Sequence, residues 1–278
     1  MRKFAITIAI TGLLIVSIVF CSVIWAEDQG QALIDAAKKG DLKQVQDLLE
    51  SGADVDAKNE NGVTALMEAY GNGHIKIMKL LLEWEADIDA KDNRTGTTIL
   101  MAASTLGQAE VVKLLLEWEA DVNAKGNNGE TALAQSSYAG WPQVVKLLLE
   151  GKADANAKTN NGATPLMLAS LKVDVKTHLN SKTDNGTKEQ LMPSQADHVQ
   201  VVKLLLEAQA DIDARANNGA TALMMACAEG HIDVVKLLLG AKADVNAKNK
   251  NGSTALMAAS QKGHTNLVEL LKMHGAKE

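Results

Sequence analysis

Aromatic side chains make up only 3% of this 278-residue chain, so any core must be aliphatic, built from a hydrophobic fraction of 46%. Cysteine occurs twice, at Cys21 and Cys227. Cys21 lies in an N-terminal apolar segment, which leaves no partner for a disulfide within the remainder. A lone Cys227 at a helical core position reads as a small buried hydrophobe rather than a reactive thiol. Positive charge is also short. The formal net charge is −6, and without Arg2 and Lys3 the remainder carries 26 basic against 34 acidic residues, a net −8. Such a surface repels phosphate backbones, so no nucleic acid partner is expected. No glycine-rich phosphate loop and no Ser or Cys nucleophile in an elbow motif appears. The chain is expected to be no enzyme and to carry no cofactor.

Charge is absent altogether from Phe4 to Ala26, directly after Arg2 and Lys3. Three readings of residues 1–26 stay open. A cleaved secretory signal would have this basic start and a small residue, Ala26, before the cut. An uncleaved membrane anchor fits the length of the run, which reaches the roughly 20 residues that span a bilayer. A lipoprotein signal at Cys21 comes last, because bulky Phe20 stands where a small residue is wanted. Under all three, the remainder is exported, periplasmic or extracellular, and touches a membrane only through residues 4–26 if they are kept.

What the chain has in abundance is itself. The phrase "TALMEAYGNGHIKIMKLLLEWEADIDAK", from Thr64 to Lys91, recurs with small changes. The glycines ahead of the "TAL"-like triplets are Gly62, Gly96, Gly129, Gly162, Gly219 and Gly252, at spacings of 34, 33, 33, 57 and 33. A weaker copy precedes them, with Leu33 in the place of Leu66. A fixed period in this range marks a solenoid of about seven repeats. They run near 30–60, 61–92, 93–125, 126–158, 159–215 with an insertion at 173–197, 216–248 and 249–278, within one domain over 27–278.

Each repeat reads as turn, helix, short turn, helix, loop. Asn-Gly tolerates the left-handed dihedrals of a tight turn, and the following Thr (64, 98, 131, 164, 221, 254) can cap the first helix. Pro165 suits a first helical position. Gly-His at 73–74, 230–231 and 263–264 ends the first helix. The second, as in "IDVVKLLL", is apolar over too much of its circumference for one dry face, so it must be clamped between neighbours. In the fifth repeat the first helix is expected to end at Lys172 and the second to begin at His198. Between them lie 25 polar residues that read as a protruding loop.

On these residues the chain resembles the ankyrin repeat family, whose pattern of glycine, Thr-Pro-Leu-His, Gly-His, "hhhLLL" and Gly-Ala-Asp-hydrophobic-Asn is recognisable from Gly62 onward. The resemblance implies an all-α fold: antiparallel helix pairs stacked in a curved array, with hairpin tips and first helices lining a concave binding face. It also implies a non-enzymatic function in binding a protein partner, by a chain expected to be monomeric. A membrane-tethered spacer without a specific partner is the alternative. Two departures carry expectations. The His of the family tetrapeptide is Met at Met67, Met101, Met167, Met224 and Met257 and Ala at Ala134, so an apolar contact replaces polar glue. One Met per repeat cannot cluster around copper. The glycine that ends the second helix is kept only at Gly52 and Gly275. Glu85, Glu119, Lys152, Gln209 and Lys242 replace it elsewhere, at about 0.5–1 kcal/mol each if the left-handed geometry persists.

His74, His198, His231 and His264 share one repeat position and stand a repeat apart, so they cannot converge on one zinc. The recurring "AD-hydrophobic-D/N-A" marks a turn rather than an acid–base pair. Asn93, Asn185 and Asn251 fit the Asn-x-Ser/Thr acceptor pattern, which matters only on a eukaryotic secretory route, whereas Met-rich repeats of this kind look bacterial. Trp84 and Trp118, in "LLLEWEAD", are expected to cover the ends of second helices. In the family the variable positions are the hairpin tip and the last two residues of the first helix. In the third to fifth repeats these are Thr105 and Leu106, Tyr138 and Ala139, Leu171 and Lys172. With Trp141 in the His slot, and Arg94 and Glu130 in adjacent tips, the candidate protein-binding set is Leu106, Tyr138, Trp141, Leu171, Lys172, Arg94 and Glu130. The insertion folding back over this patch is the competing expectation.

Overall fold

The computed structural model describes residues 29–171 and 194–277. The expected leader, Lys172 and most of the expected insertion lie outside the described residues. Among these residues the regular structure is helical throughout, with no strand, as expected. None of the described helices is long and apolar enough to cross a membrane. The chain divides into two compact parts, residues 1–99 and 100–278.

The first part holds α1 (29–39), α2 (Leu42–Glu50), α3 (Ala65–Gly71) and α4 (Ile75–Glu83). α4 packs on both α2 and α3. α5 (Ile99–Thr105) starts at the division. The second part continues with α6 (Ala109–Glu117), α7 (Ala132–Ala139), α8 (Pro142–Glu150), α9 (Pro165–Ala169) and α10 (Gln195–Glu207), then α11 (Ala222–Glu229), α12 (Ile232–Gly240), α13 (Ala255–Gln261) and α14 (Thr265–Met273). Here the helices form two layers. The first helices α7, α9, α11 and α13 pack side by side, and the second helices α6, α8, α10, α12 and α14 do the same behind them.

The Thr residues do what their position requires. Thr64, Thr131, Thr164, Thr221 and Thr254 are buried, and each Oγ1 accepts the N–H three residues on at 3.2–3.4 Å. Pro142 and Pro165 open α8 and α9, where their missing N–H is not needed. In α12, Val234, Val235, Leu238 and Leu239 are all buried. Each such side chain contributes roughly 1.5–3 kcal/mol only because a neighbouring repeat covers it. Met101, Met167 and Met224 are buried, as is Ala134, so this stripe is core. Met257 is 45% exposed.

Second helices end alike whether or not glycine is present. Glu85, Glu119, Lys152, Gln209 and Lys242 all have positive φ, between 60° and 68°, beside Gly52 at 89° and Gly275 at 86°. At Lys152 the N–H donates to Leu149 O at 3.0 Å and the Ala153 N–H to Leu148 O at 2.9 Å, the two bonds of a Schellman cap. The left-handed geometry is thus kept without glycine.

Two expected boundaries shift in the fifth repeat. Its first helix ends at Ala169 rather than Lys172. The buried Ser170 turns there, its N–H and its hydroxyl both donating to Leu166 O. Its second helix starts at Gln195 rather than His198. Ser194 Oγ accepts the Asp197 N–H at 3.4 Å while Asp197 Oδ2 accepts the Ser194 N–H at 2.7 Å, a reciprocal capping box. The residues 195–197, expected in the loop, are therefore helical.

Candidate functional site

A set of hydrogen bonds between repeats holds the ends of the first helices. Trp141, N-cap residue of α8, donates its indole N–H to Thr105 O at 3.0 Å. Thr105 Oγ1 lies 2.9 Å from Met101 O and 2.7 Å from Gln135 Oε1 on α7. His198 Nε2 lies 3.2 Å from Tyr138 O, His264 Nε2 3.2 Å from Ala228 O and, in the first part, His74 Nε2 3.2 Å from Lys38 O. Each carbonyl belongs to the residue two before a glycine of the preceding repeat, and can only accept. The rings therefore donate, and each lies where a side chain on that glycine would be. A Cβ on Gly40, Gly107, Gly140 or Gly230 would come within 2.4–2.7 Å of His74, Trp141, His198 or His264 respectively.

On this frame Tyr138 stands at the end of α7 with its backbone fixed and its side chain 45% exposed. Leu106, just past α5, is 47% exposed. Leu171 follows α9 and is half-buried; α9 packs on α7, so Leu171 occupies the matching place one repeat on. Lys172 lies outside the described residues. Trp141 is half-buried and engaged with Thr105, a bridging position that accounts for a large ring in this slot. Glu130 turns back over its own hairpin, with Oε1 only 2.7 Å from where a Gly126 side chain would begin. Its backbone O accepts the Gly126 N–H at 2.9 Å.

Arg94 belongs to the first part and is exposed in its hairpin tip. That tip is organised by the Asp92 carboxylate. It accepts the N–H groups of Arg94 at 3.0 Å, Thr95 at 2.8 Å and Thr97 at 2.9 Å, and a short bond from the Thr95 hydroxyl. Desolvation works against the charge of Asp92. The bonds from Thr95, Thr97 and Arg94 outweigh it and hold the carboxyl below the usual aspartate range.

The acidic loops make turns, and more. Asp54, Asp87, Asp121, Asp154, Asp211 and Asp244 each accept the N–H two residues on. The second Asp or Asn of the motif reaches the next repeat. Asp56 accepts the Asp87 N–H at 2.7 Å in the first part. In the second, Asn123, Asn156, Asp213 and Asn246 accept from Asp154, Asp211, Asp244 and Lys277 at 2.7–2.8 Å. This ladder was not read from the sequence, although the separation of its bonded residues, 31 and across the insertion 55, is the visible trace.

Cys227 is buried, and desolvation pushes its thiol up to about 12, so it is protonated and inert at neutral pH. Burial likewise raises the Tyr70 phenol. Trp84 and Trp118 take the C-cap positions of α4 and α6 and stay 43% and 38% exposed. A shallow groove of about 380 Å³ on the last repeat is lined by Leu256, Met257, Ser260, Gln261, Val268 and Lys272. Among the described residues no group of three His, Cys, Asp or Glu is placed to hold a metal ion.

Profiles described as "Ankyrin repeats (3 copies)" match residues 33–126, 119–180 and 191–278, and one described as "Ankyrin repeat" matches 161–217. No curated protein matches the chain. Ankyrin repeats are general protein–protein interaction modules and are typically non-enzymatic. The repeated cap, the glycine-backed rings and these matches over most of the sequence lead to one assignment: the chain belongs to the ankyrin repeat family.

Proposed function

We propose that the chain is an exported, non-enzymatic binding module, working in the bacterial envelope or periplasm. It binds a protein partner on the side that carries the first-helix ends, the concave side in this family. Within residues 100–278 the anchors are Tyr138 and Leu106, with Leu171 one repeat on and Trp141 and Glu130 bracing the surface; Lys172, outside the described residues, joins the set from the repeat alignment alone. Arg94 is a separate charged contact on the first part. The observation that carries this reading is the exposure of Tyr138 and Leu106 on a backbone locked by the Trp141 and His198 contacts. Other repeats keep their fold with Gly71 and Asn72, or Gln261 and Lys262, at these positions. A tyrosine presented rigidly at low entropic cost is what hot spots use, with the leucine adding apolar area beside it.

Two measurements test it. A chain tagged at Glu278 is recovered from the cell envelope and its co-purifying protein identified. The double variant Tyr138→Ala, Leu106→Ala is then expected to weaken that complex by about 2 kcal/mol or more with the melting temperature intact. Unchanged affinity contradicts the site. For location, protease added to spheroplasts digests an anchored array and osmotic shock releases a cleaved one. Protection in both assays contradicts export.

A further inference from the structure

Five hairpin tips among the described residues carry Asn-Gly: Asn61-Gly62, Asn128-Gly129, Asn161-Gly162, Asn218-Gly219 and Asn251-Gly252. Within its own turn each glycine N–H is held in the same way. It donates to Asn59, Gly126, Thr159, Ala216 or Asn249 O at 2.8, 2.9, 2.8, 2.8 and 3.0 Å respectively. The tips differ in what lies over them. A Cβ on Gly62 would come within 2.4 Å of the Asn93 side chain. On Gly129 it would come within 2.6 Å of Asn160, on Gly162 within 2.5 Å of Asn217, and on Gly219 within 2.9 Å of the Lys250 backbone. These four glycines are buried. At Gly252, which is exposed, no atom lies within 4 Å of that position.

The backbone carbonyls repeat the contrast. Asn61, Asn128, Asn161 and Asn218 each accept an N–H from the next tip, from Asn93, Asn160, Asn217 and Lys250, at 2.8–3.2 Å. Among the described residues no backbone donor reaches the Asn251 carbonyl.

We propose that Asn251 is a site of spontaneous deamidation, set apart from the other four Asn-Gly hairpin tips by its missing cover; the further described pair Asn72-Gly73 ends a helix, not a hairpin, and also has open space at its glycine. Glycine lacks the side chain that would hinder its nitrogen, which makes Asn-Gly the most susceptible pairing. The Gly252 backbone nitrogen attacks Asn251 Cγ. The N–Cγ bond forms, the Cγ–Nδ2 bond breaks, and the amide leaves as ammonia with the proton from the Gly252 N–H. Water then opens the resulting five-membered imide at either carbonyl, giving aspartate at 251 or its isomer linked through the side chain. Ring closure swings the Asn-Gly peptide out of its turn. At Asn61, Asn128, Asn161 and Asn218 that swing must first break the bond to the next tip and push aside the chain resting on the glycine, so it proceeds only through local opening. At Asn251 only the turn bond to Asn249 has to yield. The product places a new negative charge at this tip.

The experiment is a time course of the intact folded chain at mildly alkaline pH, with peptide mapping by mass spectrometry and enzymatic detection of isoaspartate. A parallel sample is kept in denaturant. In the folded chain, Asn251 is expected to convert on the order of ten-fold or more faster than Asn61, Asn128, Asn161 and Asn218. In denaturant the five rates should draw together. Asn251 converting no faster than the covered four, or not at all while the denatured sample converts, overturns the proposal. So does the same spread of rates in denaturant, which would assign the difference to neighbouring sequence and not to cover.

Discussion

Among the described residues, the turns that end six first helices and the turns that end the seven second helices all pass through left-handed backbone, yet only the first set keeps glycine throughout. First-helix turns use Gly40, Gly73, Gly107, Gly140, Gly230 and Gly263, with φ between 70° and 82°. Second-helix turns use glycine at 52 and 275 and Glu, Lys or Gln at the five places between. The backbone demand is similar, so the difference lies in the surroundings. At Gly40, Gly107, Gly140 and Gly230 a ring from the next repeat sits where a Cβ would go, whereas nothing lies within 4 Å of that point at Gly52 or Gly275. Left-handed strain alone, at about 1 kcal/mol, is tolerated several times over in one array. Strain added to a clash with a neighbour is not. Gly73 and Gly263 have open space, and nothing in the structure explains why glycine is kept there.

This contrast can be broken from its strong side. Gly140→Ala should destabilise the chain by about 3 kcal/mol, since it combines left-handed strain with overpacking against His198. Denaturant unfolding followed by far-UV circular dichroism would read it. Removing a ring instead leaves space and an unpaired carbonyl. Trp141→Ala is expected to lose about 2 kcal/mol, while Trp141→His, which restores a ring and an N–H donor in a slot where His74 and His264 already serve, should stay within about 1 kcal/mol of the parent. On the permissive side Gly52→Ala should cost only about 1 kcal/mol, the strain without the clash. Smallest is Lys152→Gly, a gain of about 0.5 kcal/mol, because relief of strain at φ 67° is partly offset by the extra freedom of the unfolded chain. A loss there would show that the side chain itself contributes.

Local chemistry was legible in the sequence wherever one residue decides the outcome. The Thr caps, Pro165, the buried Met101, Met167 and Met224 and the buried Cys227 all follow from a residue's own dihedral, hydrogen-bonding or hydrophobic preference, whereas the left-handed geometry kept at Glu85, Glu119, Lys152, Gln209 and Lys242 runs against theirs and was left open by the sequence. Contacts that join repeats were harder. The inter-repeat ladder through Asp56, Asn123 and their counterparts looks the same in sequence as a self-contained turn, because one side chain can accept an N–H in either setting. Trp141 read as a binding anchor because it is aromatic, and only the position it shares with His74 and His264 hints that its N–H bridges to Thr105. The start of α10 was available in "SQAD", where Ser194 and Asp197 form a capping box, but the polar run before it masked the signal. Of the candidate surface, the exposed positions of Tyr138 and Leu106 were legible from repeat alignment alone. The inward fold of Glu130 was not, since it depends on the space above Gly126.

The most direct measurement is a double-mutant cycle between Gly140 and His198, which separates backbone strain from ring contact. Gly140→Ala is made in the parent chain and again in the background of His198→Ala, and each is unfolded in denaturant. If the ring is what requires glycine, the alanine at 140 costs about 3 kcal/mol with His198 present and about 1 kcal/mol without it, a coupling of about 2 kcal/mol. Equal cost in both backgrounds would contradict the account, leaving backbone conformation as the sole reason for glycine and the two turns without the difference drawn between them.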